Sequence, residues 1–198
     1  MSTEAVGEAA RQDVTVGEQP VVEKPVVDPG PAAVAAQAVI AAYTVAQLAV
    51  GLAGGTRSGF FAAYVPVGLV LMVGSVVLFL RWFSRCRHNA RAFDPAGHRF
   101  GPGLAVGGWF VPLANFWIPY RVTLDIWRAS GPRGGEWLLN AWWAAWLAKT
   151  LGAAVLMQTQ AHPDGYSAFD QITGAVAGVL AVLVIRALTA RQRARLAA

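Results

Sequence analysis

Charged residues are scarce in this sequence. Aspartate, glutamate, lysine and arginine together make up 14% of the 198 residues, whereas soluble domains carry about 25%. The charges stand in short clusters that separate long uncharged runs, a pattern typical of polytopic membrane proteins. This scarcity argues against an ordinary soluble domain and predicts an integral membrane protein.

Cysteine is almost absent as well, since Cys86 is the single one. One cysteine excludes an internal disulfide. Together with His88 and His98 it matches no standard zinc spacing, so we expect no metal and no cofactor. The sequence also lacks a nucleophile elbow, a P-loop, a dinucleotide fingerprint and an acid–base pair, so we do not expect an enzyme.

The formal net charge is +5, but the arginines stand at the ends of apolar runs. There they set the orientation of membrane spans, so we expect no nucleic-acid partner. Membrane lipids are the expected partners. His88 lies beside Arg85, Arg87 and Arg91, and this cluster predicts a basic patch that faces anionic headgroups.

Residues 1–31 contain six acids, two bases and four prolines. We predict a disordered, acidic, proline-rich cytoplasmic tail and, for lack of a basic start and an apolar core, no signal peptide. The stretch "PVVEKPVVDPGP" nearly repeats a Pro-Val-Val-acid unit. A proline-recognising partner is an alternative reading of this tail.

Four apolar runs of 21 or 22 residues predict transmembrane helices at 32–53, 60–80, 137–157 and 169–190, followed by a basic tail at 191–198. We predict that the second helix continues beyond the bilayer, with Trp82, Cys86, Asn89 or Ala90, and Phe93 on one stripe, and ends at Asp94-Pro95. In the fourth helix, Gly174 and Gly178 form a Gly-x-x-x-Gly step, which predicts a packing face and a possible homo-oligomer.

The run at 100–120 has no charge and is long enough for a fifth span. If it does not cross, 14 basic residues share one side and only Arg57 lies opposite; if it crosses, the sides hold seven and eight. The positive-inside rule therefore favours four spans with both termini in the cytoplasm. Prolines at 102, 112 and 119 also disfavour a continuous helix, so we predict a re-entrant or interfacial segment.

Such a segment must be enclosed by protein, because lipid cannot satisfy its broken backbone. We expect Asn115 to hydrogen-bond the backbone around Pro112 and Pro119, and Trp109, Trp117 and Tyr120 to lie near headgroup depth.

A short surface helix is predicted at 121–130. Asp125 and Arg128 in it are spaced to bind a polar ligand or, alternatively, to form a surface ion pair. Trp127 is expected to rest on the membrane surface.

Lys149 lies near the middle of the predicted third span, where a charge is costly. Trp142, Trp146 and Lys149 share one helix face, and a cation–π contact to Trp146 could hold the lysine. The site could handle ions or anions, or contact a lipid headgroup. Alternatively, the lysine snorkels to an interface or bonds carbonyls of the proline-broken segment.

Four stretches, "RWFSRCRHNARAF", "GLAVGGWFVPLANFWIPYRVTLDIWRAS", "LLNAWWAAWL" and "VIRALTA", resemble a bacterial, largely actinobacterial family, domain of unknown function 4328. The resemblance covers about residues 81–190. It implies a multi-pass protein of the bacterial plasma membrane and brings no established activity.

The sequence thus predicts an all-α membrane protein, a four-helix bundle with a proline-broken segment between its second and third spans. We expect a non-enzymatic module that binds a lipid or a partner. The alternative is a small transporter or channel component that uses Lys149 and the broken segment.

Overall fold

The computed structural model describes residues 25–159 and 167–198. Within these ranges helices are the only regular elements: α1 (Gly30–Leu52), α2 (Phe61–Phe93), α3 (Pro102–Gly107), α4 (Ile118–Ala129), α5 (Glu136–Thr159) and α6 (Ala168–Leu196). Most of the predicted tail and the middle of the loop between the last two predicted spans lie outside the described residues.

Three of these helices, α1, α2 and α6, are long and apolar enough to cross a membrane. The chain therefore has the character of a membrane protein. Helix α5 covers the predicted third span, but Asn140, Lys149 and several tryptophans lower its hydropathy, and it is not among the candidates that the described residues yield.

Helix α2 runs without interruption to Phe93, as predicted, and Asp94 accepts a hydrogen bond from the amide of Gly97 at its end. Trp82, Cys86 and Asn89 are buried on one stripe. The predicted basic patch is wrong in one respect: Arg87 is also buried, at 4% exposure, and its guanidinium donates to the carbonyl of Phe100.

The long helices pack in the order α2, α1, α6, α5, since α1 contacts α2 and α6, and α6 contacts α5. The amphipathic helix α4 covers the ends of α2 and α6. Its Val122 and Ile126 pack with Trp82, Ile185 and Leu188 in a fully buried core. On α2 this core lies beyond the predicted second span, where α4 meets α2 and α6.

Two glycines of α6 permit close approach within the chain. A Cβ atom at Gly178 would lie 2.3 Å from Oγ1 of Thr44 in α1, and one at Gly174 would lie 3.2 Å from Nζ of Lys149 in α5. Both glycines therefore serve packing inside one copy of the chain. A homo-oligomer through them stays a prediction that would have to share this occupied face.

The predicted tails are too long at both ends of the helical unit. Helix α1 begins at Gly30 and Pro29 is buried, so the last residues of the predicted disordered tail are packed. At the other end α6 continues to Leu196, and Gln192 in the predicted basic tail is fully buried.

Candidate ligand-binding cavity

Between α2 and α4 the backbone changes direction several times. Helix α3 is followed by a turn, a 3-10 helix at Ala114–Phe116 and then α4, whose first turn contains Pro119. Leu113 adopts a φ of 65°, and the amide of Ala114 donates to the carbonyl of Pro112 at 2.8 Å. This is the rare γ-turn with positive φ, a strained conformation for a leucine.

We expected the side chain of Asn115 to hydrogen-bond the backbone here. Most of the backbone amides instead donate to nearby backbone carbonyls. The amide of Asn115 donates to Val111, and the amides of Phe116 and Trp117 donate to Leu113 and Ala114. The side-chain oxygen Oδ1 of Asn115 is buried and has no hydrogen-bond partner among the described residues.

The γ-turn segment places Trp109 among the aromatic side chains of α2 and α5. Its ring lies 5.3–6.4 Å, centroid to centroid, from five other aromatic rings: Phe79, Phe83, Trp142, Trp143 and Trp146. Trp146 is ten residues into α5, about 15 Å along the helix axis. Trp109 thus fills the space between α2 and α5, and its depth in a membrane stays a prediction.

The neighbouring aromatic residues behave differently. Trp117 is half exposed, and the hydroxyl of Tyr120 donates to Oδ1 of Asn140 at 2.7 Å. Tyr120 thereby ties the start of α4 to α5.

A cavity of about 550 Å³, with Trp109 in its wall, lies between the four long helices. Trp142, Trp146 and Lys149 all line it, so these three residues share the face of α5 that borders the cavity. Most of the wall is apolar. The polar groups in it come from Thr44, Gln47, Ser75, Asn115, Lys149 and Thr150, with Tyr43 at the side of α1.

The serine and threonine hydroxyl groups in the wall have their protons engaged. Thr44, Ser75 and Thr150 each donate to the carbonyl four residues earlier, at 2.7–2.8 Å. Their oxygens can therefore accept but not donate toward the cavity. Volume and lining together match the usual ligand site, an apolar cleft with a few polar groups.

Lys149 is held by a carboxylate, not by the face of Trp146. Its Nζ lies 2.9 Å from Oδ1 of Asp170, in the first turn of α6. The missing side chain at Gly174 leaves room for the lysine to cross α6. Sequence reasoning missed this pair; the available signal was the opposite charge on two helices that follow each other in the sequence.

The predicted pair of Asp125 and Arg128 does not form. Asp125 is buried at 5% exposure and lies 3.7 Å from Nε of Arg99. Arg128 instead binds Glu136 at the start of α5 through two hydrogen bonds of 2.9 and 3.2 Å. These bonds raise the pKa of Arg128 and lower that of Glu136.

Trp127 does not rest on a membrane surface either. It is 2% exposed, its indole N–H donates to the carbonyl of Gly134 at 3.0 Å, and the guanidinium of Arg191 stacks 4.2 Å above its ring. Trp127 and Arg128 thus fix α4 to the segment before α5 and to α6.

Asn89 lies at the centre of a polar network that the sequence did not reveal. Its Nδ2 donates to Oε1 of Gln192 at 3.1 Å, and Nε2 of Gln192 donates to the carbonyl of Cys86 and to Oγ of Ser130. The network joins α2, α4 and α6 in the buried core. Gln192 gave no signal, because it stands among arginines at the end of the chain.

No curated protein and no solved structure matches this chain. A family model described as domain of unknown function (DUF4328) matches residues 56–190, about two thirds of the sequence and more than the quoted stretches. The resemblance seen in the sequence is therefore confirmed, and the chain belongs to the DUF4328 family.

Proposed function

We propose that this protein is a non-enzymatic membrane module that binds the acyl chain of a membrane lipid in the cavity between its four long helices. The single observation that carries the proposal is the cavity itself, with its apolar wall and few polar groups. An acyl chain is the membrane component that such a wall accommodates at least cost.

In this proposal α5 is the third of four spans, the segment at 100–120 enters from the cytoplasmic side, and both termini are cytoplasmic in a bacterial plasma membrane. The positive-inside rule supports this orientation. Exposed apolar side chains on the outer part of α5, Leu151 and Val155, suit contact with lipid. Trp109 and its aromatic neighbours would then close the cytoplasmic end of the cavity.

The helix order leaves an access route between α2 and α5. These two helices are the first and the last in the packing order. They approach each other beside Trp109, where the ring centroids of Phe79 and Trp142 lie 6.1 Å apart. Farther along, Met72 and Val76 line the cavity and are also exposed. A chain that lies in the bilayer could enter there without leaving the hydrocarbon region.

The size of the cavity favours one chain over a whole lipid. On α5 the lining residues run from Trp142 to Ala153, about 16 Å along the helix. One leaflet of the hydrocarbon core is about 15 Å thick, half of the whole. The cavity length therefore corresponds to one leaflet.

A cavity-filling pair of variants tests the proposal. Ala153 lines the cavity, whereas the neighbouring Ala154 is exposed on the outer face of α5. The delipidated protein is titrated in detergent with a phosphatidylglycerol that carries bromine on one acyl chain, which quenches tryptophan on contact. We expect saturable quenching in the wild type and in Ala154→Phe, and its loss in Ala153→Phe. Equal quenching in both variants would contradict lipid binding in this cavity.

A further inference from the structure

Residues before α1 are bound to the end of the bundle as a peptide ligand would be. The amide of Val27 donates to Oδ1 of Asn89 at 3.1 Å, and Nδ2 of Asn89 donates back to the carbonyl of Val27 at 2.8 Å. The buried side chain of Asn89 thus hydrogen-bonds both the amide and the carbonyl of Val27. This pairing replaces the bonds that a neighbouring β-strand would make.

The next residue of the segment adds a charge contact. Both carboxylate oxygens of Asp28 accept hydrogen bonds from the guanidinium of Arg193, at 2.9 and 2.8 Å. This geometry is the paired fork of arginine with a carboxylate. Because Asn89 is also held by Gln192, the two recognising groups keep a fixed spacing.

The recognised residues belong to the unit Pro25-Val26-Val27-Asp28, and the chain contains a second such unit. Pro20-Val21-Val22-Glu23 has the same order of proline, two valines and an acid and lies outside the described residues. The hydrogen bonds with Asn89 involve only backbone atoms of the docked residue, so they do not depend on its side chain. Glutamate carries a carboxylate, as aspartate does. Val22 and Glu23 therefore offer the same groups as Val27 and Asp28.

We infer that Asn89 and Arg193 form a peptide-binding site for an extended Pro-Val-Val-acid segment, and that the chain's two units occupy this site in exchange. Val26 and Val27 are both exposed, at 40% and 46%, so the bound unit is not enclosed. A tethered second unit has an effective concentration on the order of millimolar. Exchange shifts the docked position along the chain by five residues, which is the offset between the two units.

Carbodiimide coupling tests the exchange, because it joins a carboxylate only to an amine in contact with it. The full-length chain with Arg193→Lys provides the amine, and mass spectrometry identifies the acid joined to it. In Arg193→Lys alone we expect the link at Asp28. With Asp28→Asn added, we expect the link to move to Glu23, at least fivefold above that at Glu18, which follows no such unit.

Two further variants show whether the backbone is recognised. Val22→Pro, added to the pair Arg193→Lys and Asp28→Asn, removes the amide that Asn89 would bind and should abolish the link at Glu23. Asn89→Leu should do the same. A link at Glu23 no stronger than that at Glu18, or one that survives Val22→Pro, would overturn the inference. Because Val22 is not among the residues that form the buried core of the described part of the chain, the test does not rest on a core substitution.

Discussion

Lys149 of α5 and Asp170 of α6 form an ion pair, with 2.9 Å between Nζ and Oδ1. The side chains are 28% and 20% exposed, so the pair is largely removed from water. It neutralises the lysine at the wall of the cavity. An ion-handling or transport role for Lys149 would require this pair to open.

We predict that Lys149→Met lowers the free energy of unfolding by about 1–3 kcal/mol, because Asp170 is left without its partner. The exchange Lys149→Asp with Asp170→Lys should recover at least half of the loss. Thermal unfolding in detergent measures both. If the lipid titration of Lys149→Met is unchanged while its stability falls, the lysine has a structural role; loss of lipid binding at unchanged stability would place it in recognition of the headgroup.

Asp28 gives the docked segment a defined dependence on pH. The hydrogen bonds from Arg193 and from the amide of Gly30 lower the pKa of Asp28 from 3.8 to about 2. A carboxyl group with a lowered pKa stabilises the docked state above its free pKa, and this contribution is lost as the pH falls through the lowered value. We therefore expect protection of the Val27 amide to hold from pH 7 to about pH 4 and to decline toward pH 2.

Hydrogen exchange at the Val27 amide, corrected for the intrinsic rate at each pH, measures this loss. Asp28→Asn serves as the control, since it cannot titrate and should show a weaker protection that does not change over the same range. A steep decline in this variant as well would assign the transition to another group.

Much of the fold follows from patterns within single helices. The stripe of Trp82, Cys86 and Asn89 predicts which face of α2 is buried, and the face shared by Trp142, Trp146 and Lys149 predicts three residues of the cavity wall. These inferences succeed because helical spacing alone decides which residues lie together.

The errors concern contacts between elements that are distant in the sequence. Within α4, Arg128 is the opposite charge nearest to Asp125 in the sequence. In the fold, Asp125 lies near Arg99 and Arg128 binds Glu136. Gln192 and the docking of Val27 could not be predicted, because they depend on how the ends of α1, α2 and α6 meet. The packing of Trp109 against α2 and α5 could not be predicted either, because it depends on the γ-turn at Leu113.

Gly178 sets the distance between α1 and α6. A Cβ atom there would clash with Oγ1 of Thr44, so we predict that Gly178→Ala destabilises the protein by about 1–3 kcal/mol. Thr44→Ala should rescue it, since the clashing oxygen is then absent. Gly107→Ala is a control of the same chemistry at a position with nothing within 4 Å. Thermal midpoints of the four proteins decide the question.

Cys86 should be unreactive in the folded protein. It is fully buried, and burial raises the pKa of its thiol, so neither access nor the thiolate form is available to a reagent. We expect no labelling by a charged maleimide until the protein is denatured. The Cys86→Ala variant can then serve as a cysteine-free protein for mapping topology. Single cysteines are introduced into it at Ser58 and at Ala198. Labelling of the Ala198→Cys variant from outside intact cells would contradict cytoplasmic termini.

Trp109 should be the most sensitive residue of the segment at 100–120, because it joins α2 and α5 through five aromatic contacts. We predict that Trp109→Ala costs about 3–5 kcal/mol, the usual loss for a large aromatic residue in a packed core. Trp117→Ala, at a half-exposed position eight residues later, should cost less than 1 kcal/mol by the same reasoning. Thermal unfolding in detergent compares the two variants, and Trp109→Phe should fall between them because it keeps part of the ring contact. Equal losses in both alanine variants would mean that Trp109 does not hold α2 and α5 together, and the cytoplasmic end of the cavity would then have to be closed by other residues.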